Sequence, residues 1–161
     1  MKPLMHIKSI DVTDNKITIS AKKSVSFNVK AKVKDTIVSD DARYAIIILD
    51  DNTIYINSQP RRVDEILYGP KILTTSRYAC IVYVAKLHGK RVFVVNNDFA
   101  LDIEDWWRDN EFEFSRDGGY ILFKKPKRNG KISIEYLLNE VPKHSKKLVQ
   151  FDHKKKVASE N

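Results

Sequence analysis

Residues 26–35 read SFNVKAKVKD, and the alternation in that stretch decides the fold class. Phe27, Val29, Ala31 and Val33 fall on one parity, and Ser26, Asn28, Lys30, Lys32 and Lys34 fall on the other. Successive side chains of a β-strand point to opposite faces. The pattern therefore predicts a strand that buries the first set and lines three ammonium groups along the other face, about 6–7 Å apart. No carboxylate interrupts that row.

The same period recurs outward from this stretch. MHIKSIDV (5–12) and KITIS (16–20) read as a strand pair across the turn TDN. YAIIILDDNTIYIN (44–57) reads as a hairpin turning at Asp50-Asp51-Asn52, because short polar residues tolerate turn geometry between two apolar runs. PRRVDEILYG (60–69) changes period: Pro60 opens a short helix, Val63, Ile66 and Leu67 share a face, and Gly69-Pro70 stops it. Beyond it, SRYACIVYVAKL (76–87) and RVFVVN (91–96) pair across HGK, and EFEFSR (111–116) pairs with YILFKK (120–125) across Asp117-Gly118-Gly119. PKRNG (126–130) leads to a last strand, KISIEYLL (131–138), and FALDIEDWWRDN (99–110) reads as a short helix or structured loop.

These elements predict a mainly β chain of two small barrel-like domains, SH3-like then OB-like, with one or two short helices. The expected boundaries are 1–69 and 70–141, with a flexible basic tail over 142–161. A chain of 161 residues has room for both domains. The lone cysteine, Cys80, sits in an apolar run and predicts a buried small side chain in a reducing compartment. No apolar run approaches the ~20 residues of a membrane span, so a soluble, cytoplasmic protein without membrane contact is expected.

Catalytic chemistry finds no support in the residues. His6, His88, His144 and His153 stand at no metal-ligand spacing, and the five glycines sit beside turn signals rather than in a phosphate-cradling loop. A non-enzyme without cofactor or metal is expected.

Charge is the stronger signal. The formal net charge is +8, half of it carried after residue 140. Lys22, Lys23, Lys30, Lys32 and Lys34 form one acid-free cluster, and Lys124, Lys125, Lys127, Arg128 and Lys131 form a second. Lys146, Lys147, Lys154, Lys155 and Lys156 follow in the tail, with Lys143 nearby. One such cluster reads equally well as a solvated face or a protected sheet edge. Three in one small chain point to a polyanion, because displacing the counterions condensed on nucleic acid drives binding. Lysine outnumbers arginine in each cluster and acts as a point charge for phosphate, not as a fork for guanine, so largely sequence-independent contact with double-stranded DNA is expected.

Residues 98–117 are the counterweight, with eight carboxylates against Arg108 and Arg116. Trp106 and Trp107 lie among these acids, which repel a phosphate backbone, so packing is expected of at least one of them. Tyr120 and Phe123, beside the 124–131 basic turn, are the better candidates for stacking on bases. Two other readings stand: a protein-interaction module docking through the acidic Trp segment, and single-strand or RNA binding through an OB-like face.

The opening stretch MKPLMHIKSIDVTDNKITISAKKSVSFNVKAKVKD, followed by a compact β domain and a lysine-rich end, resembles the MotB family of early transcription modifiers of large tailed phages. The resemblance implies a Tudor/KOW-like first domain and an OB-like second one. It also implies a DNA-binding protein that modulates transcription at the host nucleoid, with host transcription or chromatin proteins as further partners.

Overall fold

The computed structural model describes residues 2–74, 78–104, 112–116, 119–124 and 129–152. The chain is mainly β and divides into two compact units, Met1–Val63 and Asp64–Asn161. Among the described residues no helix is long and apolar enough to cross a membrane.

The first unit holds two antiparallel sheets. One has the order β1 (Ser9–Thr13), β2 (Lys16–Ser20), β3 (Val25–Asn28). The other has the order β4 (Val33–Val38), β5 (Ala45–Leu49), β6 (Thr53–Ile56), β7 (Gln59–Arg62). Both send side chains into one core, with Ile17 and Ile19 from β2 meeting Ala45, Ile47 and Leu49 from β5. Phe27 stacks on Tyr55 within it, ring centroids 4.5 Å apart. The hairpin turning at 50–52 is as expected, with Asn52 in the left-handed region (φ 66°).

The predicted single strand over 26–34 is corrected. Its alternation of burial holds, since Val29 is buried, Phe27, Ala31 and Val33 are half-buried, and the intervening lysines are exposed. Its hydrogen bonding does not. The Val29 amide donates to the Asn15 carbonyl at 2.7 Å, in the first sheet, whereas the Lys32 carbonyl accepts from the Asp50 amide at 2.8 Å, in the second. The chain changes sheets over 29–32 while facing the same core throughout, so the period survives a break in the strand. Lys34 then occupies a bulge, with Val33 opposite Leu49 and Asp35 opposite Ile48.

The predicted helix over 60–69 is also corrected. Residues 59–62 form β7, an edge strand where proline's missing N–H is harmless, and β8 (Glu65–Thr74) follows. Gly69-Pro70 does not end a domain but lies inside β8, where the register to the next strand shifts around Tyr68. Gly69 has φ 90°, and a Cβ there would stand 3.2 Å from the Val82 carbonyl oxygen.

The second unit has a five-stranded sheet ordered β15, β11, β10, β9, β8. Its other members are β9 (Ala79–Leu87), β10 (Lys90–Val95), β11 (Phe99–Asp102) and β15 (Leu148–Val149). The β9–β10 turn at His88-Gly89 has both φ values positive, 54° and 77°, the twist a two-residue hairpin demands. A second sheet runs β12 (Phe112–Phe114), β13 (Tyr120–Lys124), β14 (Asn129–Ser133). None of the four sheets closes on itself among the described residues.

The strand expected over 131–138 ends at Ser133. Its hydroxyl accepts from the Tyr136 amide and caps helix α1 (Ile134–Asn139), which α2 (Val141–His144) follows. Ile134, Leu137 and Val141 recur at helical spacing and are buried against Val84, Phe93 and Leu101. Part of the expected flexible tail is likewise structured: α2 takes up 141–144, and Leu148–Val149 pair with Leu101 and Ala100. Of the expected loop over 99–110, residues 99–102 form β11 and 105–110 lie outside the described residues.

Cys80 is fully buried, and burial pushes its thiol from 9.0 up to about 12. Burial also raises the Tyr44 phenol, with Asp41 adding and Arg43 opposing, and the Tyr55 phenol, with Asp51 adding. All three groups bind their protons more tightly folded than unfolded. This source of stability is intact below about pH 9 and is lost as pH rises toward 12. Urea midpoints measured from pH 8 to 11 should fall across that window, and Cys80→Ala should show a shallower fall.

Candidate nucleic-acid interface

The hairpin of β2 and β3 organises the first basic cluster and splits it. Lys22 and Lys23 lie in the bend between the two strands, and Lys30 and Lys32 lie beyond the opposite end of β3. At ~3.3 Å per residue, Lys23 and Lys30 stand roughly 20 Å apart. The cluster that is continuous in sequence is therefore two groups of charge in space, and the ladder of Lys30, Lys32 and Lys34 along one strand face does not form.

Each end gains a lysine the sequence reading missed. The Lys8 amide donates to the Ser20 carbonyl and the Lys22 amide to the Met5 carbonyl, both at 2.7 Å, which brings Lys8 beside Lys22 and Lys23. Lys16 stands opposite Asn28 in register, next to the corner that carries Lys30. The available signal was the pairing of β1 with β2 around the 13–15 turn, because it folds residues 8 and 16 onto the two ends of β2.

Lys8, Lys16, Lys22, Lys23, Lys30, Lys32 and Lys34 are all exposed. Among the described residues none of them has a carboxylate within 4.0 Å. The corner is less free of acid than its sequence suggests, since the Asp50 backbone is bonded to Lys32 and Asp35 follows the bulge. Between the two ends, the outward parity of the β1–β2–β3 sheet consists of Ser9, Asp11, Thr13, Lys16, Thr18, Ser20, Ser26 and Asn28. The Thr18 and Ser26 hydroxyls are 2.9 Å apart across the strands, and Ser9 donates to Asp11 at 3.2 Å.

In the second unit, Lys124 ends β13 opposite Asn129, and Lys131 stands opposite Leu122. The Lys131 ammonium lies 4.6 Å from the centre of the Tyr120 ring, so a lysine already covers that candidate stacking surface. Lys125, Lys127, Arg128, Lys154, Lys155 and Lys156 lie outside the described residues, as do Trp106 and Trp107. Lys146 and Lys147 belong to the turn that enters β15. The Lys147 carbonyl accepts from the Asp102 amide at 2.8 Å, and Asp102 pairs with Lys90 at 3.6 Å. These two lysines are thus held beside Asp102 at the end of β11, not on a free tail.

The chemistry within reach of the first unit is ion pairing of exposed ammonium groups with phosphate, supplemented by short hydroxyl donors. No protein-family model, no curated protein and no solved structure matches this chain.

Proposed function

We propose that this chain is a non-enzymatic protein that binds double-stranded DNA with little sequence preference and modulates transcription. The observation that carries the reading is a set of seven exposed lysines with no carboxylate partner among the described residues, six of them at or beyond the two ends of one small sheet and Lys34 just past the corner in β4. An SH3/Tudor-like first unit, an OB-like second unit and a phage origin with host transcription or chromatin partners belong to the same proposal. They rest on the order and size of the segments.

The test is a mobility shift titrated with salt on duplex DNA, single strands and RNA. With about six phosphates neutralised, log affinity for duplex should fall with log salt at a slope near −5, and shuffling the DNA sequence should change affinity only a few-fold. A slope near zero with affinity retained would remove electrostatics as the driving term. A hundred-fold preference for one duplex would reveal a base-reading element. Preferred binding of single strands would transfer the reading to an OB-type face. Replacing Trp106 and Trp107 addresses the protein-docking alternative: that reading requires partner binding to fail while duplex affinity persists.

A further inference from the structure

We propose that the outward face of the β1–β2–β3 sheet is the DNA-docking face and that it lies across a groove of the duplex. Lys8, Lys22 and Lys23 meet one phosphate backbone, and Lys16, Lys30, Lys32 and Lys34 meet the other. The inference rests on the duplex-DNA reading and adds which surface is used and in what orientation.

Three observations carry it. The roughly 20 Å between the lysine groups suffices to bridge the backbones on either side of a major groove about 12 Å wide. Between the groups, the face carries hydroxyls at Ser9, Thr13, Thr18, Ser20 and Ser26 and an amide at Asn28. These side chains are short, so they hold the lysines' partner at close range, and Thr13, Ser20, Asn28 and one hydroxyl of the Thr18–Ser26 pair donate hydrogen bonds to phosphate oxygens without reading sequence. Finally, Asp11 supplies the face's lone carboxylate, opposite Thr18 near the middle. Among the described residues of the β13 hairpin, by contrast, Lys131 lies over Tyr120 and Glu113 stands opposite Leu122.

Asp11 makes the idea testable by a gain, which unfolding cannot imitate. Asp11→Lys in the full chain should tighten duplex binding about tenfold at low salt and steepen the salt slope by about one unit. Glu135→Lys makes the same change of net charge at an exposed position of helix α1 and should gain less than about threefold. Asn28→Glu, opposite Lys16, should keep or improve stability through a cross-strand pair, yet weaken duplex binding several-fold. Circular dichroism and a thermal melt accompany each variant.

Equal gains from Asp11→Lys and Glu135→Lys, with wild-type binding intact, would overturn the docking face while leaving DNA binding standing. An equal gain from Asp11→Lys on single-stranded DNA would overturn the groove-spanning geometry. A wild-type chain that binds no duplex would overturn the parent reading instead.

Discussion

Replacing Lys30, Lys32 and Lys34 together with glutamine is expected to weaken duplex DNA binding by roughly 10²–10³-fold near 0.1 M salt. Each phosphate contact contributes close to a factor of ten there, and the salt slope should shrink by up to about three units. The fold should survive. All three side chains are exposed, and the corner's hydrogen bonds use the backbone of Val29 and Lys32. Removing three neighbouring like charges also relieves repulsion. The control is Val29→Gln, which puts an amide at a site 5% exposed in the first unit's core and should unfold that unit. A folded triple variant with unchanged affinity and slope would make the corner an ordinary solvated surface, and any DNA binding would then belong to the Lys8, Lys22 and Lys23 end, to residues 124–131 or to the tail.

Asn57→Ala and Asn96→Ala should each destabilise the protein by about 2–5 kcal/mol, through a device that both units share. Asn57 follows β6 with φ 54°; its amide donates to the Ala45 carbonyl at 2.7 Å, and its side-chain oxygen accepts from the Ala45 amide at 2.8 Å. Asn96 follows β10 with φ 54° and treats Ile81 the same way, at 2.8 and 2.7 Å. In both places the side chain replaces the carbonyl that the next ladder residue would have offered, and it does so from a backbone conformation asparagine tolerates. Alanine leaves a buried N–H without its acceptor, about 1–3 kcal/mol, and adds about 1–2 kcal/mol of left-handed strain. Urea denaturation gives the size. Hydrogen exchange at Ala45 or Ile81 gives the place, and a glycine variant, free of the strain, should lose less. Losses under about 0.5 kcal/mol would mean that water substitutes for the amide.

These asparagines show where the legible part of the sequence stopped. The hairpins at 50–52 and 88–89 could be read directly, because apolar runs flank residues that accept positive φ. That Asn57 and Asn96 bind backed-up ladder residues could not, since their partners are 12 and 15 positions away. The helix at 134–139 was legible but misread. Ser133 is a capping residue, and Ile134, Leu137, Leu138 and Val141 follow the helical spacing, yet the preceding KIS extended the strand period over them. At 60–69 the error ran the other way: three apolar residues fit a helix face by chance, and the pairing of β7 and β8 with neighbouring strands prevailed over so short a pattern.

By itself the sequence determined the β class, most strand positions, the parity of the side chains in 26–34 and the excess of lysine. Each depends on neighbours a few residues apart, so local order suffices. Only the tertiary structure decided that 29–32 crosses between sheets, that the lysine cluster divides into two ends, and that Lys8 and Lys16 join those ends. A side chain's parity reports which face is buried, whereas its place on the surface depends on which strand accepts its backbone hydrogen bonds, and that partner is distant in the chain.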